Sequence, residues 1–162
     1  MDEIESLIQK LEDARAGIRA MLPEIDHRKE IYPGWTIKEL LAHMTGWDDA
    51  VIATIRAHLG GNEALTPAAR GIDVYNAETV STREAIDYEA TFLEWERTRQ
   101  TLIETLRSVP EDKFRMPLVY PWGGEGTITR MISIFIYHET AEHGEDLRQW
   151  LRNQEQPLLG RH

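Results

Sequence analysis

The chain has 162 residues, 18 Lys plus Arg against 28 Asp plus Glu, a formal charge of −10 and no cysteine. The absence of cysteine excludes disulfides, thiolate metal sites and a cysteine nucleophile, and an acidic chain without a basic cluster is a poor partner for nucleic acid or anionic membrane. An apolar fraction of 41% with 28% charged residues fits one globular domain over residues 1–162, and with no basic or apolar leader in the start MDEIESL the expected location is cytoplasmic.

Four helical patterns follow in chain order. Ile4, Leu7, Ile8, Leu11, Ile18, Met21 and Leu22 recur at three- and four-residue steps and predict a first helix ending near Pro23. After a break at Tyr32-Pro33-Gly34, the capping box Thr36-Ile37-Lys38-Glu39 opens a second helix. Its stripe runs through Leu40, Leu41, Met44, Trp47, Val51 and Ile55 and stops before Gly60-Gly61. A long, partly ordered connection is expected next. A second box, Ser81-Thr82-Arg83-Glu84, predicts the start of a third helix, which carries Ile86, Phe92, Leu93, Trp95, Leu102, Ile103 and Leu106 and stops at Pro110. A Pro- and Gly-rich stretch leads to a fourth helix over about 127–153, with a polar tail from about 154. No segment spans a bilayer: the longest apolar-looking run, Met131 to Tyr137, is seven residues against the ~20 required. Four amphipathic helices bury their stripes most simply as an all-α four-helix bundle, with long connections after helices 2 and 3.

The informative break is in the fourth helix. Its stripe Ile128, Met131, Ile132, Phe135 continues onto Glu139, Glu142 or His143 before returning to Leu147 and Trp150. A buried carboxylate or imidazole without a partner is costly, so this turn lines a cavity or a ligand site. In an α-helix, residues four apart differ by about 40°, so Glu139 and His143 share a face, whereas His138 and His143 diverge by roughly 140°. The string His138-Glu139-Thr140-Ala141-Glu142-His143 is one residue too long for the zincin HExxH. His43, at the edge of the second helix's apolar face, is the candidate from another helix. His43, Glu139 and His143 thus form one candidate metal set. A metal-free acid/base site and a structural hydrogen-bond network are the alternatives. Glu142 and Asp146 are candidates to orient an imidazole, and Arg130 and Arg148 to anchor an anion. Trp35, Trp47, Trp95 and Trp122 are candidates to border a pocket.

The run Pro33-Gly34-Trp35-Thr36-Ile37-Lys38-Glu39-Leu40-Leu41-Ala42-His43-Met44-Thr45-Gly46-Trp47-Asp48 resembles the helix-2 signature of the DinB-like superfamily: a Trp-Ser/Thr start, a run to one histidine, and a tryptophan four residues later. Glu142-His143-Gly144-Glu145-Asp146-Leu147 resembles that superfamily's closing helix, and Asp73-Val74-Tyr75-Asn76-Ala77-Glu78 a loop of its ClbS/DfsB-type branch. The resemblance implies a four-helix bundle, often a homodimer, with a divalent metal held by one side chain of helix 2 and two of helix 4. By motif position these are His43, His143 and the residue four before His143. Many relatives carry histidine there; this chain has Glu139, with His138 one position early. The implied site is therefore His43, Glu139 and His143, or one in which His138 reaches in through a local bulge, or a decayed site. Zinc or nickel, and also manganese or iron, suit such donors.

The implied function is a metal-dependent enzyme acting on a small molecule, either a hydrolase or a transferase or isomerase using a low-molecular-weight thiol. A metal-free binding or sequestration protein and a structural homodimer without catalysis are the competing expectations. No nucleic-acid contact is implied.

Overall fold

The computed structural model describes residues 2–155. The polar tail expected from about residue 154, with Pro157, Gly160 and His162, lies beyond the described residues. The elements are α1 (Glu3–Met21), a 3₁₀ turn (Leu22–Glu24), α2 (Ile37–Leu59), α3 (Pro67–Arg70), α4 (Ile72–Ser81), α5 (Tyr88–Arg107), α6 (Glu111–Arg115), β1 (Leu118–Val119), β2 (Glu125–Gly126), α7 (Ile128–Tyr137), a π-helical turn (His138–Gly144) and α8 (Glu145–Glu155). The fold is all-α, with one two-residue antiparallel ladder between β1 and β2. No helix among the described residues is long and apolar enough to cross a membrane.

Capping chemistry explains most boundaries. Asp2 accepts from the Glu5 amide at the start of α1, and Thr36 and Glu39 form the expected box at the start of α2. The box expected at Ser81 does not open a helix. Both the Ser81 and Thr82 hydroxyls donate to the Glu78 carbonyl, which closes α4 instead, and Asp87 caps α5 by accepting from the Ala90 amide. The segment Asp73–Glu78, expected as loop, lies within α4. Its helix covers the side of α2 and packs Tyr75 against Trp47, while Val74 stays exposed.

Two hydrophobic clusters make the core. One joins Leu7, Ile8 and Leu11 of α1 to Val51 and Ile55 of α2, Leu102 and Leu106 of α5, and Ile128 to Phe135 of α7. The other joins Ile18 and Met21 to Leu40, Leu41, Trp95 and Leu147. Each large side chain so buried contributes roughly 1.5–3 kcal/mol. The beginnings of α1 and α7 therefore meet the ends of α2 and α5. α2 and α5 run parallel to each other and antiparallel to the first and last helices. Parallel neighbours need a crossover, and the segment carrying α3 and α4 supplies it.

α4 packs closely on α2 because position 46 is glycine. A Cβ added at Gly46 would run into the Thr79 side chain, and the Tyr75 hydroxyl donates to the Gly46 carbonyl. Gly46→Ala is expected to lower stability by about 1–3 kcal/mol through this overlap, against the roughly 1 kcal/mol that alanine ordinarily gains over glycine in a helix. Urea denaturation checks the sign.

Candidate metal centre

Between the two apolar clusters lies a charged layer, one residue from each long helix: Arg15 of α1, Asp48 of α2, Arg99 of α5 and Glu139 of the π turn. All four are at most 5% exposed. Arg99 forms a two-point pair with Asp48 at 2.8 and 3.0 Å and another with Glu139 at 3.0 and 3.0 Å. Arg15 donates to Glu139 Oε1 at 3.1 Å and to the Trp95 carbonyl at 2.7 Å, with its guanidinium 4.0 Å over the Trp95 ring. Burial pushes the Glu139 carboxyl upward, but the guanidinium groups of Arg99 and Arg15 outweigh it and hold the carboxyl below the usual carboxylate range. The two charges of each sign balance, which is what lets the layer stay ionised out of water.

Glu139 therefore faces arginines, and the imidazoles that come together are those of His43, His138 and His143. One nitrogen from each lies within 4.8 Å of the others. The rings of His43 and His143 are 5.2 Å apart and those of His138 and His143 4.8 Å. The π turn produces this arrangement. Hydrogen bonds from i to i+5 bring residues five apart roughly one turn above each other, so His138 and His143 meet where an α-helix would splay them. The residue that is surplus to an HExxH spacing is taken up by the bulge.

Neighbouring groups set the protons on two rings. Tyr32 donates its hydroxyl hydrogen to Asp146 Oδ2 at 2.6 Å, so its oxygen accepts from His143 Nδ1 at 3.1 Å. Nε2 of His143 is then the lone-pair nitrogen. Glu142 lies 2.7 Å from His138 Nδ1 and leaves Nε2 of that ring free in the same way. Tyr32 reaches His143 because Tyr32-Pro33-Gly34-Trp35 is a tight turn. Proline presets its second position, and Gly34 adopts φ 81° at its third. The same turn sets the Trp35 ring 5.1 Å from that of His43.

Three observations fit a divalent ion. Nδ1 of His43 and Nε2 of His143 are buried without a hydrogen-bond partner, a state that costs roughly 1–3 kcal/mol per atom unless something binds there. A gap of about 20 Å³ opens among His43, His138, His143 and Glu139, about enough for an ion or one water. Burial, with the neighbouring histidines, holds His43 at about 3, and burial with His138 holds His143 at about 4, so both rings are neutral ligands at pH 7. Nitrogens at about 2.1 Å from one ion are at most about 4.2 Å apart. The half-exposed His138 ring has room to turn inward by that difference.

The depressed values have a stability consequence for the metal-free protein. The unfolded imidazoles take up protons as pH falls through about 6.5, but His143 and His43 do so in the folded chain only near 4 and 3. Stability is thus full above about 6.5 and falls from there down to about 3, with His143 contributing to the fall only above about 4. The slope reaches about 1.4 kcal/mol per pH unit for each ring. Urea midpoints measured across that range check it, and a flat profile would contradict it.

The triad opens on a pocket of about 300 Å³ walled by Trp47 of α2, Ile72 and Asn76 of α4, Trp122, and Ile134 and Phe135 of α7. Of the four tryptophans expected to border a pocket, Trp47 and Trp122 line this one, Trp35 stands beside His43 and lines a separate cavity of about 500 Å³ between α2 and α4, and Trp95 is in the core. Of the expected anion anchors, Arg148 pairs with Glu145 at 3.1 Å and Arg130 does not line the pocket.

With this geometry in view, the chain's relatives can be placed. The family model described as mycothiol maleylpyruvate isomerase N-terminal domain matches residues 5–148. The chain belongs to that family. The family lies within the DinB-like superfamily, in agreement with the helix-2 signature. Two solved structures share the fold: a mycothiol-dependent maleylpyruvate isomerase and a histidine-to-alanine variant of it. Each has a TM-score of 0.73 at 16% identity, over 89% of this chain and 60% of theirs. The chain thus spans about three-fifths of the length of these family relatives. No curated protein matches it.

Proposed function

We propose that the protein is a divalent-metal-dependent enzyme acting on a small molecule with a low-molecular-weight thiol as cosubstrate, in an isomerase- or transferase-type reaction. The observation that carries this reading is the convergence of His43, His138 and His143, with orphaned ring nitrogens, beside an apolar pocket lined by two of them. The three imidazoles hold the ion, with zinc or nickel matched to an all-nitrogen set. His138 takes the third place rather than Glu139, because both carboxylate oxygens of Glu139 already accept from guanidinium groups. When bound, such an ion supplies an open position where a thiol or water is deprotonated near neutral pH. The chain's own residues do the rest. Tyr32 and Asp146 orient His143, Glu142 orients His138, and the tryptophan walls exclude water.

The thiol is taken from the family and from the relatives' description as mycothiol-dependent; their substrate is not carried over. One domain over the chain is supported by core clusters that draw on residues from Leu7 to Leu147. The homodimer expected from the superfamily is read by light scattering in solution. The deciding experiment is metal analysis of tag-free protein, with thermal stability measured on adding zinc or nickel. About one ion per chain and a raised midpoint are expected; no ion and no shift would defeat the proposal.

A further inference from the structure

The walls of the pocket carry a second message, about what the ligand's body must be. Trp47, Trp122, Ile72, Ile134 and Phe135 make up most of its surface, and among the described residues no Lys, Arg, Asp or Glu side chain lines it. Apart from the imidazoles of His43 and His138, the one polar group among the described residues is the Asn76 amide. Its oxygen is already engaged, accepting from Trp47 Nε1 at 2.7 Å, which leaves the NH₂ as the single free donor. A carboxylate placed against these walls would lose its hydration and find no counter-charge. The chain's formal charge of −10 adds long-range repulsion. A flat neutral body would instead lie against the indole and phenyl groups of the lining. The Trp122 and Phe135 rings lie 6.5 Å apart and only 9° from parallel, a stacked pair that lends the lining flat aromatic surface.

We infer that this pocket selects an uncharged, flat, apolar molecule, with one hydrogen-bond acceptor for Asn76, and rejects dicarboxylates. The inference rests on the proposed function only in having the ligand's head reach the histidines. Ile134 and Ile72 are specificity-determining, because both are partly exposed at the rim, 38% and 40%, and a guanidinium at either would supply the missing counter-charge.

The test separates this from the metal reading. Metal-free protein is titrated with 2-naphthol and with naphthalene-2,6-dicarboxylate, following tryptophan fluorescence. Zinc-loaded protein is titrated with phenylmethanethiol and with mercaptosuccinate, which share a thiol head and differ in charge. In each pair the neutral-bodied probe is expected to bind at least about tenfold more tightly. Ile134→Arg is expected to weaken 2-naphthol and to strengthen the dicarboxylate. A dicarboxylate binding the unsubstituted protein as tightly as its neutral partner would overturn the inference, as would 2-naphthol binding that Ile134→Arg leaves untouched. If zinc does not load, the metal reading fails while the metal-free titration still decides this one.

Discussion

Asp48→Ala is expected to lower the unfolding free energy by about 3–5 kcal/mol. Asp48 is 1% exposed and holds Arg99 through both oxygens. Removing it leaves Arg15 and Arg99 facing the lone carboxylate of Glu139, an uncompensated positive charge between two apolar clusters. The cost comes from that stranded charge more than from the lost bonds. The quadruple variant Arg15→Met, Asp48→Leu, Arg99→Met, Glu139→Leu is therefore expected to recover most of the loss, since a well-packed apolar layer can match a satisfied ionic one. Equilibrium urea unfolding measures both. An Asp48→Ala loss within about 1 kcal/mol would mean the layer is not held as described.

The second large effect concerns metal affinity. His43→Ala, His138→Ala and His143→Ala are each expected to weaken zinc binding by at least about 100-fold, as loss of one of three ligands should. Tyr32→Phe removes the oxygen that orients His143 and is expected to cost about 10–100-fold. Glu139→Gln is expected to leave zinc affinity within about tenfold while lowering stability, because its carboxylate serves the arginines. Competition against a chromophoric chelator gives the ranking. The reverse order, with Glu139→Gln abolishing binding and His138→Ala harmless, would return the third ligand to Glu139.

Much of this was legible in the amino-acid order, for identifiable reasons. The stripes of α1, α2 and α5 follow the 3.6-residue period, and the box at Thr36 and Glu39 uses chemistry contained in four residues. The polar interruption of the last helix falls where the charged layer and the histidine cluster lie. The division of labour within it was not legible. Face arithmetic assumed an unbroken α-helix, which puts Glu139 beside His143; the π turn puts His138 there instead. The partners of Glu139 were missed although they carry the same signal. Four residues on from Leu11 the stripe of α1 lands on Arg15, and Arg99 and Asp48 interrupt their stripes likewise. Charges at matching levels of four stripes imply a common layer, but only tertiary pairing says which acid meets which base. Tyr32 lay in a break between helices, where periodicity carries no information.

The π turn also localises one surplus residue within the last helix. Deleting the exposed Ala141 would leave His138-Glu139-Thr140-Glu142-His143, a spacing that an ordinary α-helix presents on one face, and so the local geometry would relax. Everything downstream would keep nearly its present phase, because the bulge spends one extra residue on a turn that an α-helix makes with one fewer. Leu147, fully buried in the second cluster, would stay turned inward, and Trp150 would stay near the Glu30 carbonyl it now donates to. The surplus residue is therefore a local insertion, absorbed where it stands, and the rod on either side keeps the repeat that serves both cores.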